Sequence, residues 1–100
     1  IALLSSPVTI KSFKCPDTQA LAEGRRVKRW TNIERPALRK LAQLDWSAVL
    51  EDLKVPPGNH LEALKGNRKG QHSIRINQQW RVCFVWTIDG ATDVEIVDYH

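Results

Sequence analysis

The stretch QHSIRINQQWRVCFVWTIDGATDVEIVDYH, residues 71–100, decides the fold. Asp89-Gly90 is a hairpin signal, because a tight two-residue turn favours Asp-Gly. The segment before it, QWRVCFVWT, has a period of two. Trp80, Val82, Phe84 and Trp86 fall on one face, and Arg81, Cys83, Val85 and Thr87 on the other. QHSIRIN alternates likewise, with Ile74 and Ile76 against Ser73, Arg75 and Asn77. The closing TDVEIVDYH completes a meander, and counting back from the turn sets Trp80 and Arg81 opposite Asp98, Tyr99 and His100.

Working outward, LEAL at 61–64 reads as a further short strand, joined to the meander by the turn KGNRKG. VPPGN before it allows neither a helix nor a central strand. TNIERPALRKLAQLDWS predicts a helix beginning near Glu34 or Arg35, with Pro36 in its first turn. Leu38, Leu41, Ala42 and Asp45 lie on one side, and Arg35, Arg39, Lys40 and Gln43 on the other. Ser47 is a candidate cap for a further turn over AVLEDL. RRVKRW reads as a cationic connector. CPDTQALAEG predicts a short helix opening at Pro16 and stopping at Gly24, and VTIKSF predicts a short strand. Helices first and strands last give an α+β fold. Its twisted antiparallel sheet packs the N-terminal helices on the Trp80–Trp86 face and leaves the Arg75 and Arg81 face partly open.

One hundred residues suit one small domain, and an apolar fraction of 42% argues against disorder. Residues 1–9 read as an extension of vector origin, and residues 10–100 as the domain. The opening is too short, and lacks the basic start, for a signal peptide. No run approaches the ~20 apolar residues of a membrane span. Cys15 and Cys83 have no paired-thiol spacing, so a reduced, cytoplasmic protein with no membrane partner is expected.

Charge is unevenly spread. Residues 1–81 carry all 15 cations against seven acids, and residues 82–100 carry four acids and no cation. A basic body favours an anionic partner, whether RNA, DNA or an acidic protein segment. His60, His72 and His100 lack metal-ligand spacing, so no metal and no cofactor are expected. Cys83, alternating within a strand, reads as a packed hydrophobe rather than a nucleophile.

The remaining chemistry gathers near the chain end. Glu62, Lys65, Arg68 and Lys69 come from LEALKGNRKG, Arg75 and Arg81 from the strands, and Asp98, Tyr99 and His100 from the terminus. That set suits RNA cleavage without a metal: a base for the ribose 2′-hydroxyl, a cation for the phosphorane and an acid for the leaving 5′-oxygen. Arg matches phosphate oxygens with a planar fork, and His titrates near ~6.5. A phenol and an ammonium start near ~10 and need cationic neighbours or desolvation to act as bases. Tyr99 and His100 have opposite parity, so one site takes both only if the strand twists or ends at Asp98. The plainer alternative is an exposed polar strand end with a packed tyrosine.

IKSF, LKGNRKGQHSIRINQQWRVCF and VEIVDYH together resemble the HigB-type toxins of the RelE/ParE superfamily, from Ile10 to His100. The resemblance implies a ribosome-dependent mRNA endonuclease acting in the decoding site. It also implies a HigA-like helix-turn-helix antitoxin, through which the pair reaches operator DNA. It maps the lysine of LKG onto Lys65, the phosphate-contacting arginine of WR onto Arg81, and the closing triplet onto Asp98, Tyr99 and His100. Members that read LHPLKG have histidine where this chain has Glu62. A carboxylate serves as a base but is a poor acid at neutral pH, which suggests modest activity. His60, two residues earlier, is a candidate substitute.

Two other functions share these features. A ParE-like gyrase inhibitor has the same fold without an acid–base set, and a non-catalytic toxin would grip rRNA by charge alone. For either nucleic-acid reading, Arg68, Lys69 and Arg75 are candidate backbone contacts. So are Arg25, Arg26, Lys28 and Arg29 of the basic connector, if that segment is not a solvated loop.

Overall fold

The computed structural model describes residues 10–99; the expected extension 1–9 and His100 lie outside the described residues. Four strands, β1 (Glu62–Ala63), β2 (His72–Arg75), β3 (Trp80–Thr87) and β4 (Gly90–Asp98), form an antiparallel sheet in sequence order. The helices α1 (Pro16–Ala22) and α2 (Glu34–Trp46) precede it, so the α+β architecture holds. Pro16 opens α1 and Pro36 sits in the first turn of α2, where a missing N–H costs nothing.

The β3 stripe meets the helices. Val82 and Phe84 are buried with Ala37, Leu41 and Leu44 of α2, and Trp80 and Trp86 pack against that core. Trp30 is fully buried and meets Trp80 edge-on, with ring centroids 6.1 Å apart. Its segment, expected as a connector, is a 3₁₀ helix (Lys28–Ile33) that anchors the core through this indole. Charge density hid the anchor: four cations precede the single aromatic.

VTIKSF forms no regular strand among the described residues. Ile10 and Phe13 make isolated parallel bridges to Ala91 and Val94 of β4. Lys11 and Lys14 donate to the carbonyls of Ala91 and Val94, and Val94 donates back to Ser12. This fringe covers the outer edge of β4, which is otherwise a template for pairing with another chain. Thr18 of α1 extends the cover: its hydroxyl accepts from the Ile96 N–H at 3.0 Å.

The hairpin turn lies one residue earlier than expected. Thr87 pairs with Gly90, so Ile88 and Asp89 form the loop and Gly90, at φ 123°, begins β4. A bulge between Cys83 and Val85, with Asp93 at φ 52°, inserts one residue into β4. Beyond it Trp80 faces Asp98 and Arg81 faces Val97, within the register expected from counting.

The C-terminal end of α2 also departs from expectation. Lys40 and Gln43, on the side away from the apolar stripe, are half-buried and bond the buried Asn59. Ser47 donates back to the Gln43 carbonyl, and Asp52 accepts from the Ala48 and Val49 N–H groups ahead of the 3₁₀ turn Leu50–Lys54. No helix among the described residues is long and apolar enough to cross a membrane.

Candidate active site

The sheet face away from the helices carries Glu62, Ser73, Arg75, Arg81, Cys83 and Glu95, by strand alternation and register. It is less open than expected. Ser73 and Cys83 are fully buried and Arg81 is 9% exposed. The turn after β1 folds over this face: Arg68 donates to Glu95 at 3.0 Å and to Gln71 at 3.1 Å. That bond to Glu95 pushes the Arg68 guanidinium above its ordinary range, and burial pushes the Cys83 thiol up.

Arg81 is held on two sides. Its Nε donates to the Ser73 hydroxyl at 2.8 Å, and one terminal nitrogen donates to the His60 carbonyl at 2.6 Å. Its carbon centre lies 5.1 Å from the Tyr99 ring centroid, a cation–π contact. Glu62 stands 3.9 Å from the guanidinium and accepts from the Tyr99 hydroxyl at 3.2 Å. A planar guanidinium fixed in this way has little rotamer freedom left to lose on meeting an anion.

Sequence supplies this geometry strand by strand. Ser73 and Arg81 are diagonal neighbours on β2 and β3. Arg75 sits directly opposite Arg81, where two cations repel. The pair diverges: Arg75 donates to the Asn77 carbonyl, and Arg81 leans toward Ser73. His60 is not on a strand with Glu62. It is a left-handed residue (φ 46°) closing the 3₁₀ turn Pro57–Asn59, and its contribution is the backbone carbonyl. Its neighbour Asn59 fixes that turn, donating to Gln43 at 2.9 Å and to the Leu53 carbonyl at 3.1 Å and accepting from Lys40. Neither Ser73 nor Asn59 carries a local signal. Their roles depend on partners 8 and 16 residues away in sequence.

The other expected residues divide. Tyr99 and Glu62 join Arg81. Asp98 pairs with Trp80, on the helix-facing side, and accepts from Gln79 at 3.1 Å. Lys65 is exposed at the start of the 3₁₀ turn Gly66–Arg68, with no hydrogen bond or ion pair to Arg81 among the described residues. Lys69 is exposed. In the basic segment Arg25 pairs with Glu23, Arg26 with Glu34 at 3.9 Å and Arg29 with Asp17 at 3.3 Å, and the Arg29 guanidinium lies over Trp30. Lys28 is exposed.

This small α+β domain, with a clamped guanidinium on the sheet face opposite its helices, has the RelE-like fold. The solved YoeB–YefM complex from Staphylococcus aureus shares it, with a TM-score of 0.53 at 20% identity, covering 95% of this chain and 99% of that one. The sequence profile of the HigB-like toxins, RelE-like toxins of type II toxin–antitoxin systems, matches residues 12–100, and this chain belongs to that family. It is similar to Toxin HigB-1 of Vibrio cholerae, 44% identical over 70 residues, which are 70% of this chain and 73% of that protein. It is also similar to an uncharacterized protein of Haemophilus influenzae, 37% identical over 54 residues, or 54% of each chain.

Proposed function

We propose that this toxin is a ribosome-dependent mRNA endonuclease that cleaves through the ribose 2′-hydroxyl. The observation that carries the reading is the Arg81 guanidinium held by Ser73 and the His60 carbonyl, with a carboxylate and a phenol beside it. In this scheme Glu62 takes the 2′-hydroxyl proton and O2′ attacks phosphorus. The P–O5′ bond breaks, leaving a 2′,3′-cyclic phosphate, and the 5′-oxygen takes a proton from His100. Arg81 carries the charge that develops on the phosphorane oxygens. Tyr99 orients Glu62 through its hydroxyl and flanks the guanidinium with its ring. Lys65 and Asp98 act from outside the Arg81 cluster in this scheme, Lys65 by pairing with a flanking phosphate and Asp98 as a charge near the chain end. Every role is filled by a side chain, so the scheme needs no metal or cofactor.

Ribosome and message are the substrates in this reading, and the site of action is the cytoplasm. Lys28, Lys69 and Arg75 hold no acid partner among the described residues and are the first candidates for RNA backbone contacts. Arg25, Arg26, Arg29 and Arg68 must exchange an internal carboxylate for a phosphate, so each contributes less. The antitoxin is proposed to be HigA-like, with a helix-turn-helix domain that brings the pair to operator DNA. A reconstituted translation reaction tests the activity. Message should be cut when ribosomes are present and stay intact when they are omitted; cutting of bare RNA at an equal rate would contradict the reading.

A further inference from the structure

Helix α2 presents a stripe that the fold leaves uncovered. Arg35, Arg39, Ala42 and Trp46 recur at helical spacing and are all exposed, opposite the buried Ala37, Leu41 and Leu44. Trp46 is 80% exposed, and Val49 and Val55 beyond it are also exposed. A tryptophan this open is unusual in a domain that buries Trp30 completely, and exposed apolar clusters of this kind mark contact surfaces. On one side of Trp46 lies a groove of about 530 Å³ lined by Arg39, Lys40, Ala42, Gln43, Trp46 and Pro56. On the other lies a groove of about 330 Å³ whose walls include Ile10, Phe13 and Leu38.

The charges of this face are unbalanced. The basic segment 25–29 and the Arg81 site give their arginines internal carboxylates. Arg35, Arg39 and Lys40 form no ion pair among the described residues. Burial, reinforced by the neighbouring Arg39 charge, pulls the Lys40 ammonium below the ordinary lysine range. A carboxylate brought to this spot by a partner would relieve that repulsion.

We infer that the Trp46 ridge of α2 docks an acidic amphipathic segment of the antitoxin, with apolar side chains in the two grooves and carboxylates on Arg35 and Arg39. The inference rests on the toxin–antitoxin reading and adds the surface and the chemistry of its occupant. An amphipathic segment laid along an apolar groove is a standard recognition mode, and an exposed tryptophan is the residue type that most often anchors it. Protein suits the face better than RNA. The 330 Å³ groove is lined mainly by aliphatic and aromatic side chains with Glu23 and Asp45 among them, so it takes apolar side chains and repels phosphates and carboxylates alike, leaving the partner's acids to Arg35 and Arg39. The ridge also lies on the helix side of the sheet, away from Arg81, so substitutions there leave the candidate active site intact.

Calorimetric titration of the toxin with its cognate antitoxin tests the inference. Trp46→Ala should weaken binding about 30-fold, as loss of an aromatic anchor does. Arg39→Glu should weaken it about tenfold at low salt and less at high salt. An Arg81→Ala toxin should bind as wild type does. Unchanged affinity in both Trp46→Ala and Arg39→Glu, with wild-type melting curves, would overturn the inference. Wild-type affinity with slower message cleavage by Trp46→Ala would reassign the face to RNA and overturn it as well. Tighter binding by a chain starting at Ile10, with no further effect of Trp46→Ala, would assign the grooves to this chain's own first residues and also overturn it. Loss of cleavage is read separately through Arg81, so failure of the nuclease reading leaves the docking result interpretable.

Discussion

The Arg81 Nε donates to the hydroxyl of Ser73, 2.8 Å away, across two strands and out of solvent. One hydrogen bond thus decides where the buried cation on this face points, and the His60 carbonyl fixes its second edge. A guanidinium tied at two of its donors keeps others for an incoming anion.

Replacing Ser73 by alanine should therefore act through Arg81. The buried Nε loses its acceptor, which costs about 1–3 kcal/mol. Message cleavage should fall about tenfold, and Ser73→Thr should recover part of it. Denaturant unfolding and single-turnover cleavage measured on the same preparations check both halves. A stable Ser73→Ala protein with undiminished cleavage would remove the positioning role.

Glu62 and Tyr99 should separate. Glu62→Gln keeps the size of the side chain and removes the base, so the chemical step should slow by about 10²–10⁴. Stability should change little, because the contact to Arg81 is long and half-exposed. Tyr99→Phe keeps the ring against Arg81 and frees Glu62, and the loss should stay below about tenfold. Rates under ribosome excess, for the single variants and the pair, distinguish orientation from proton transfer.

Asn59 ties α2 to the turn that presents the His60 carbonyl. Asn59→Ala strands Lys40, Gln43 and the Leu53 carbonyl, a cost of about 2–3 kcal/mol. For a domain of this size the melting temperature should drop by about 4–8 °C per kcal/mol. Cleavage measured well below that melting point should fall too, since the turn carries half of the Arg81 clamp. Calorimetry with a parallel activity assay checks both.

Cys83 gives the pH dependence. Burial raises its folded pKa above the unfolded value of 9.0, so the fold favours the neutral thiol. The stability from this shift is complete below pH 9.0 and is lost as pH rises toward the folded pKa. Cys83→Ala has no such loss. The stability gap between wild type and Cys83→Ala should narrow from pH 8 to pH 10 in urea titrations; a constant gap would mean the thiol is not desolvated.

Much of the fold was legible because burial and period agree in β3. Trp80, Val82 and Phe84 leave one choice of face, and Pro16 and Pro36 punctuate the helices. The bulge at Asp93 was not legible, since a left-handed aspartate leaves no trace in an alternating run. Trp30 was masked by the cations around it. At the site, Arg81, Glu62 and Tyr99 could be named because charge and register brought them together. Ser73, Asn59 and the His60 carbonyl could not: a buried serine looks like any strand serine until its diagonal neighbour is known. Asp98 is set beside Arg81 by register counting, and Lys65 by its turn and the LKG motif. Alternation turns Asp98 to the other face, and Lys65 leaves the strand before it reaches the cleft.

The most direct measurement maps cleavage of a translated message by primer extension, with purified ribosomes and either wild-type toxin or Arg81→Ala. If Arg81 stabilises the phosphorane, wild type yields ribosome-dependent cuts and Arg81→Ala yields them about 10²–10³ times more slowly, a loss near 3 kcal/mol, with folding intact. Equal rates from the two proteins, or no ribosome-dependent cut from either, would contradict the account.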